Sequence, residues 1–423
     1  MRGSGLMTFV SLVYSKFTQF RGHTFWLVIL FPILAITDSF HIVHQGLYYP
    51  PESFKTKLCL RGRDLMYERC KAYNIPYNQV GKLVVAKESQ RDYIYNLHAK
   101  SLKLAFREDG NLVLPTELLI DDAVRQMEPD LSQHIVAALW CPMTGIIDSH
   151  SFIESLEKDI IDSENGELVY STRVVRVDPS TRSLVATTPD LVSPEDGWVV
   201  QAVTGDEGEG DALLARTVIN SSGLSSTLIL NALLPPDSRI PMYYARGSYA
   251  SYHGPGVGSV SHLIYPCPDT GPNTHGFQSL GTHLTLDLQG KVRFGPDIEW
   301  IEPPSTLPDP IHDHPEDEAD FWMKHLTPDE SRLPEMYQAV IDYLPSIDFV
   351  GLQPDYCGIR PKLVPPWGGF QDFLFRSDFP IGGRTSRNPM LSLLNIESPG
   401  LTSSLAIAEY VVENILHRNF GHE

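Results

Sequence analysis

The longest uninterrupted apolar run lies near the start of the chain, Phe25 to Ile36 (FWLVILFPILAI), with Pro32 inside it. A membrane-spanning helix needs about 20 apolar residues, so the run is short for an anchor. It follows Arg2, Lys16 and Arg21, and no acidic residue precedes Asp38. A cationic start before a brief apolar core matches a secretory signal. An acid-free basic start also matches a mitochondrial transit peptide, although the amphipathic Arg/Ser pattern is lacking.

From Asp38 onward the pattern is that of a mixed α and β globular chain. Ser53 to Tyr73 has helical spacing, with Phe54, Leu58, Leu65 and Met66 able to share a face. Gly81 to Val85 is a short apolar strand. Asp148 and Ser151 are candidate caps for a helix striped by Phe152, Leu156 and Ile160, and Ser151 with Glu154 fits a capping box. Glu167 to Val177 reads as a strand pair or one long strand, and Trp198 to Thr204 as another, with a polar turn at Glu207 to Asp211. Thr217 to Asn220 is a strand running into the small-residue turn SSGLSS. Residues 236 to 300 alternate in short runs between Gly and Pro, which predicts an antiparallel sheet. A Pro- and Asp-rich loop over 301 to 318 and a helical stretch over 319 to 343 follow. Thr402 to His417 is an amphipathic helix with Leu405, Ala408, Val411, Val412 and Ile415 on one side. There are no internal repeats.

Composition narrows the function classes. The chain has 423 residues, 42% hydrophobic and 20% charged, enough for two or three domains. Its formal net charge of -19 repels phosphate backbones and argues against nucleic acid as a partner. An anionic small molecule would need local arginines or lysines in its pocket. The five cysteines, Cys59, Cys70, Cys141, Cys267 and Cys357, form no C-x-x-C pair, which argues against a disulfide scaffold and against a metal site.

Several stretches carry candidate chemistry. His44-Gln-Gly-Leu-Tyr-Tyr-Pro-Pro51 places a histidine just before Gly46, a residue that permits a tight backbone. Val218-Ile-Asn-Ser-Ser-Gly-Leu224 ends a strand in small residues, which lets backbone approach a flat cofactor. Tyr244-Ala-Arg-Gly-Ser-Tyr249, Leu263-Ile-Tyr-Pro266 and Leu280-Gly-Thr-His-Leu-Thr285 with Gly295-Pro296 lie in the β-rich portion. Gly358-Ile-Arg-Pro-Lys-Leu363 precedes Asn395-Ile-Glu-Ser-Pro-Gly-Leu-Thr-Ser-Ser404, a tight turn that opens the last helix. Free N–H groups at a helix start carry positive partial charge and suit an anionic group. A lone histidine beside a glycine, or an arginine on a strand, is ordinarily structural; the argument rests on how many such stretches occur together.

Together these stretches, with LCLRGRDLMYERC, GKLVVA and CPMTGIIDSH, resemble the L-2-hydroxyglutarate dehydrogenase family over almost everything after residue 38. The resemblance implies an α/β (α+β) fold in which an incomplete FAD-binding Rossmann-like domain (38–80, 148–234 and 350–423) is interleaved with an antiparallel β-sheet substrate domain (81–147 and 235–349). Residues 1–37 form an atypical apolar segment outside both. It implies FAD as cofactor, faced by His44, Gly46, Val174, Ser222, Gly223, Ser398, Gly400, Leu401 and Thr402. It implies a small 2-hydroxy dicarboxylate as substrate, oxidised by hydride transfer from C2. His44 or His283 takes the hydroxyl proton, Arg360 clamps a carboxylate, and Arg246, Tyr249 and Lys362 assist. The electron acceptor is a quinone, another carrier or oxygen. The family's location implies mitochondria; the apolar start leaves membrane association or the cytoplasm as alternatives.

One departure is large. A fold of this type begins with strand, G-x-G-x-x-G and helix. Gly3-Ser-Gly5 is followed by Thr8, Gly254-Pro-Gly256 by Ser259, and no other position fits. Either residues 1–37 are translated from a mis-assigned 5′ end of the gene, or the chain is a truncated paralogue acting at most as a binding or scaffold protein. In the first case residues 1–37 pack as a detached helix or as filler where the missing unit belongs.

Overall fold

The computed structural model describes residues 9–20, 23–33, 40–104, 112–163, 166–180, 197–205, 209–268, 281–303, 321–380 and 388–416. Two large sheets dominate. The first has six strands in the order Leu374–Asp378, Met390–Leu394, Thr217–Asn220, His23–Ile33, Phe9–Phe20 and Gly166–Val169. Three of its four inner strands, Met390–Leu394, Thr217–Asn220 and His23–Ile33, run parallel, with Ile219 opposite Ile29 on one side and Leu391 on the other. Thr217–Asn220 and Met390–Leu394 are buried at every position. Strands covered on both faces read as unbroken apolar runs.

That explains the fate of the N-terminal run. Its described residues form two strands, not a detached helix. Phe9–Phe20 and His23–Ile33 pair antiparallel, Tyr14 opposite Val28, and the second strand enters the sheet beside Thr217–Asn220. The segment is therefore filler, as one of the expectations had it, but as a hairpin. No helix among the described residues is long and apolar enough to cross a membrane.

The second sheet has nine strands and carries the β-rich portion. Glu299–Ile301, Tyr243–Tyr252, Val292–Gly295, His283–Leu286, Leu263–Pro266, Lys82–Lys87, Ile135–Cys141 and Glu117–Ile120 follow in that order, and Leu352–Lys362 adds to Tyr243–Tyr252. All these pairings are antiparallel except Leu263–Pro266 with Lys82–Lys87, where Tyr265 faces Val84. The strand Leu352–Lys362 thus pairs in the large sheet rather than with the cofactor-side segments expected to hold residues 350–423.

Most local expectations hold, with instructive changes. The helix Phe54–Tyr73 starts at Ser53, whose Oγ accepts from Thr56 N at 3.1 Å, and ends at Asn74 with φ 55°. It feeds three apolar clusters: Leu58 in one, Leu60 in a second, Met66, Tyr67 and Cys70 in a third. The helix Ser149–Asp162 is capped by Asp148, not Ser151: Asp148 Oδ1 accepts from His150 N and Ser151 N at 3.0 and 3.1 Å. The stretch from Glu167 divides into Gly166–Val169 and Thr172–Pro179, broken at Ser171 with φ 54°. The helical stretch from 319 divides too, into short turns at Phe321–Leu326 and Glu330–Arg332 and a helix Leu333–Ile341. Pro328 interrupts it, because proline has no N–H to donate. Residues 304–318 of the Pro- and Asp-rich loop lie outside the described residues. All five cysteines are free and buried.

Candidate active site

A cavity of about 1470 Å³ is lined from four distant parts of the chain, including His44, His283, Arg360 and Ser398 to Thr402. Local packing alone does not require these segments to meet.

The last helix, Gly400–Tyr410, starts at one wall. Thr402 Oγ1 donates to Ile42 O at 3.2 Å and accepts from His44 N at 3.0 Å, which fixes the His44 loop to the helix start. Gly46 has φ 70°, a conformation that glycine adopts freely, and an added Cβ would lie 3.3 Å from Thr56 O. Tyr49 OH donates to Ser398 O at 3.0 Å. Beneath the turn, Asn395 Nδ2 donates to Gln371 O and Asp372 O at 3.1 and 3.0 Å. The helix rests on Phe54–Tyr73 at Gly62, where a Cβ would come within 2.8 Å of Ser403 Cα and nearer still to Thr402 O.

Charge is concentrated beside this turn. Glu397 accepts from Lys55 Nζ at 2.8 Å and from Lys362 Nζ at 2.9 Å. Burial pushes the Glu397 carboxyl up, but Lys55, Lys362 and Arg360 outweigh it and hold it below the usual carboxylate value. Arg360 and Lys362 both line the cavity. They lie on one strand at i and i+2, spacing that sends both side chains to the same face.

His44 lies amid cations. Burial lowers its pKa to about 3, helped by the charges of Lys82 and Arg360 and by His41. It is therefore neutral, with a nitrogen free to take a proton, over the whole physiological range. His283 is buried and stacks on Tyr265, centroids 3.6 Å apart at 10°. Tyr249 stacks on Tyr356 at 4.2 Å and 11°, and both line the cavity.

Three expected residues stand elsewhere. Arg246 is buried away from the cavity and bonded to Glu299 at 2.8 Å, Thr327 O at 2.8 Å and Asp329 at 3.2 Å. The register explains why: Arg246 pairs with Ile359 and Ala245 with Arg360, so the two arginines point to opposite faces of the sheet. Val174 packs with Val177, Trp198 and Val200 in the core of the three-stranded sheet Thr172–Pro179, Trp198–Thr204, Glu209–Ala215. Ser222 is buried with its Oγ donating to Asn220 Oδ1 at 2.6 Å, while its neighbours Ser221 and Gly223 reach the cavity. Sequence reasoning passed over Glu397, Lys55 and Lys82. Two left a signal: Glu397 sits inside the Asn395–Ser404 turn, and Lys82 directly precedes the apolar run Leu83 to Ala86.

Comparison with known proteins gives a consistent answer. Residues 37–414 match the model of the FAD dependent oxidoreductase family. The chain is 32% identical over 413 residues to the mitochondrial L-2-hydroxyglutarate dehydrogenase of Arabidopsis thaliana, covering 91% of this chain and 76% of that protein. It is 26% identical to the human protein of the same name, covering 91% and 81%. The Escherichia coli K12 L-2-hydroxyglutarate dehydrogenase is also 26% identical, with 88% and 82% covered. Among solved structures, L-alpha-glycerophosphate oxidase from Mycoplasma pneumoniae with FAD bound shares the fold at TM-score 0.63 and 16% identity, covering 91% and 84%. Glycine oxidase from Geobacillus kaustophilus does so at TM-score 0.57 and 14%, covering 89% and 83%. The chain belongs to the FAD dependent oxidoreductases and, within them, to the L-2-hydroxyglutarate dehydrogenase family.

Proposed function

We propose that this chain oxidises L-2-hydroxyglutarate to 2-oxoglutarate at the cavity around His44. The observation that carries the reading is local charge. In a protein of net charge -19, Lys82, Arg360 and Lys362 line one cavity with His44, and Lys82 and Arg360 act on that histidine; of the carboxylates lining the cavity, Glu397 is already paired with Lys55 and Lys362, while Glu157, Asp159 and Asp297 lie on other elements. Such a site favours a small dianion.

The cofactor is FAD, and the chain's residues fit its ring half. The start of Gly400–Tyr410 offers unpaired N–H groups to an anionic ring edge. Gln45 and Ser404 line the cavity with Gln45 Nε2, Gln45 Oε1 and Ser404 Oγ buried and without partners, as positions made to bond a ligand would be. The adenosine half is a poorer fit. Among the described residues no strand, glycine loop and helix stand in sequence, and Phe9–Phe20 is followed after two residues by its antiparallel partner. When bound, FAD supplies the two-electron oxidation, accepting the C2 hydrogen as hydride.

The chain's own residues do the rest. Arg360 holds the C1 carboxylate through its planar pair of donors and fixes C2 in place. His44 takes the hydroxyl proton. Its neutrality keeps it ready, and a bound dianion offsets the charges of Lys82 and Arg360 and so raises its basicity as the substrate arrives. His283, held flat by Tyr265, walls the other side. The electrons pass on to a separate acceptor. The names of the Arabidopsis and human relatives support a mitochondrial location.

A second reading follows from the Phe9–Ile33 hairpin, that of a chain that binds the acid without FAD. Visible spectra of the purified chain titrated with FAD separate the two. In the flavin-bound protein, Arg360→Ala should lower kcat/KM by at least an order of magnitude, because a lost buried charge partner costs about 2–5 kcal/mol. Arg246→Ala should lower stability but leave kcat/KM of the folded protein near that of the parent. Unchanged kcat/KM in Arg360→Ala removes Arg360 from the reaction, and a chain that takes up no flavin leaves only the binding reading.

A further inference from the structure

Four cations among the described residues are buried: Lys55, Arg63, Lys82 and Arg246. Three have carboxylates against them. Lys55 has Glu397, Arg63 has Asp64, and Arg246 has Glu299 and Asp329. Lys82, 1% exposed, has none among the described residues. Its ammonium instead sits 4.7 Å from the ring centroid of Tyr48 and 4.8 Å from that of Tyr265. Ring faces attract a cation, but far more weakly than burial disfavours it. Nearby thiols bring no charge, since burial pushes Cys59 up to about 12 and Cys141 up to about 11. Lysine side chains usually escape such positions by reaching water. Lys82 begins a strand whose next four residues, Leu83 to Ala86, are buried, and it lines the cavity.

The position is close to the reaction centre. Tyr265, whose ring Lys82 touches, is the ring on which His283 stacks. Lys82, His283 and Arg360 line one cavity, with Lys82 and Arg360 both acting on His44. Burial disfavours the Lys82 ammonium and lowers its pKa, so a lysine kept there without a protein carboxylate, at the edge of a site that already has a carboxylate clamp, gains its charge partner when the ligand brings a second anionic group.

We propose that Lys82, walled by Tyr48 and Tyr265, anchors the distal carboxylate of a dicarboxylate substrate and so selects 2-hydroxy diacids over acids with a neutral far end. This rests on the substrate reading above, in which Arg360 holds the C1 carboxylate. It assigns the two carboxylates to different parts of the fold: C1 to Leu352–Lys362, the far end to Lys82–Lys87. Lys362 and Lys55, already matched to Glu397, are left to shape the wall at the helix start.

The test measures binding without turnover. 2-Oxoglutarate and its 5-methyl ester share the open-chain keto acid and differ in charge at the far end, and each is titrated calorimetrically into the parent protein, Lys82→Met and Arg360→Ala. The parent should bind the diacid roughly tenfold or more tightly than the ester, as expected for a desolvated charge pair. Lys82→Met should abolish that ratio while holding the ester nearly as well as the parent does. Arg360→Ala should weaken both ligands. A Lys82→Met protein that keeps the parent's preference overturns the assignment, and so does one that loses both ligands equally. If the parent binds neither ligand, the dicarboxylate reading itself falls, visible before any variant is made. Melting temperatures check folding; Met matches the lysine stem and removes the unpaired charge, and Lys82→Gln serves in the same scheme should the Met protein not fold.

Discussion

Glu397→Ala tests whether the charge cluster at the helix start is held together as described. Glu397 is the shared partner of Lys55 and Lys362, at 2.8 and 2.9 Å, and those side chains are 3% and 15% exposed. Removing one partner of a buried pair costs about 3–5 kcal/mol, because the remaining charge stays desolvated. Lys55, the more buried, should bear most of the loss, while Lys362 opens on the cavity and finds water. A loss of about 4 kcal/mol is expected at pH 7. At roughly 2.1 cal/mol/K per residue of unfolding entropy, a chain unfolding as one unit would melt about 4–5 °C lower. The loss should also depend on pH. Burial already holds the Lys55 ammonium below its usual value, and Glu397 is the chief influence opposing that. Without it the folded-state value falls further while the unfolded value stays ordinary. Between the two the unfolded chain binds more protons, so the variant's stability rises with pH and its deficit is smaller at pH 9 than at pH 7. Urea and thermal unfolding of the parent, Glu397→Ala and the combined Lys55→Met, Glu397→Leu, Lys362→Met protein would measure this. The combined protein should recover most of the loss, since it strands no charge. A Glu397→Ala protein within about 1 kcal/mol of the parent at pH 7 would mean the pairs behave like surface pairs, and a deficit growing with pH would reverse the argument.

Two further outcomes are expected. Burial lowers His41 to about 4 and His44 to about 3 from 6.5, so below pH 6.5 the unfolded chain takes up protons that the folded chain refuses. Stability should therefore fall from pH 6.5 towards pH 4 by up to about 1.4 kcal/mol per pH unit for each histidine, and a His41→Asn, His44→Asn protein should lose that part of the slope in urea unfolding; equal slopes would contradict neutral burial. Gly62→Ala places a methyl against the Thr402–Ser403 backbone. It should cost about 1–3 kcal/mol of stability and weaken flavin binding by shifting the helix start, and an unaltered flavin titration would separate that contact from the cofactor site.

Residues close in sequence left the clearest traces. The Ser53-capped helix, the strand Thr217–Asn220 entering its small-residue turn and the final helix from Gly400 could be read because propensity, caps and period agree over a short span. The candidates His44, His283, Arg360 and Ser398 to Thr402 could be named from their stretches, and they line one cavity. Glu397 and Lys82 were less visible because a single charge in an apolar context is informative only once its partners are known.

The sequence by itself therefore determined the type of most elements, the family and the short stretches that bear chemistry, all properties of neighbours along the chain. Tertiary structure decided which of those residues act together. The apolar run near the start could have been a helix or a strand on pattern alone. An open position beside Thr217–Asn220 made it a strand, because backbone groups entering a buried sheet must find partners there. Arg246 and Arg360 looked equally suited to hold a carboxylate. Pairing Arg246 with Ile359 and Ala245 with Arg360 turned one arginine into the carboxylates of Glu299 and Asp329 and the other into the cavity. A one-residue offset in register inverts which face a side chain occupies, and register between strands more than a hundred residues apart is written in no local pattern.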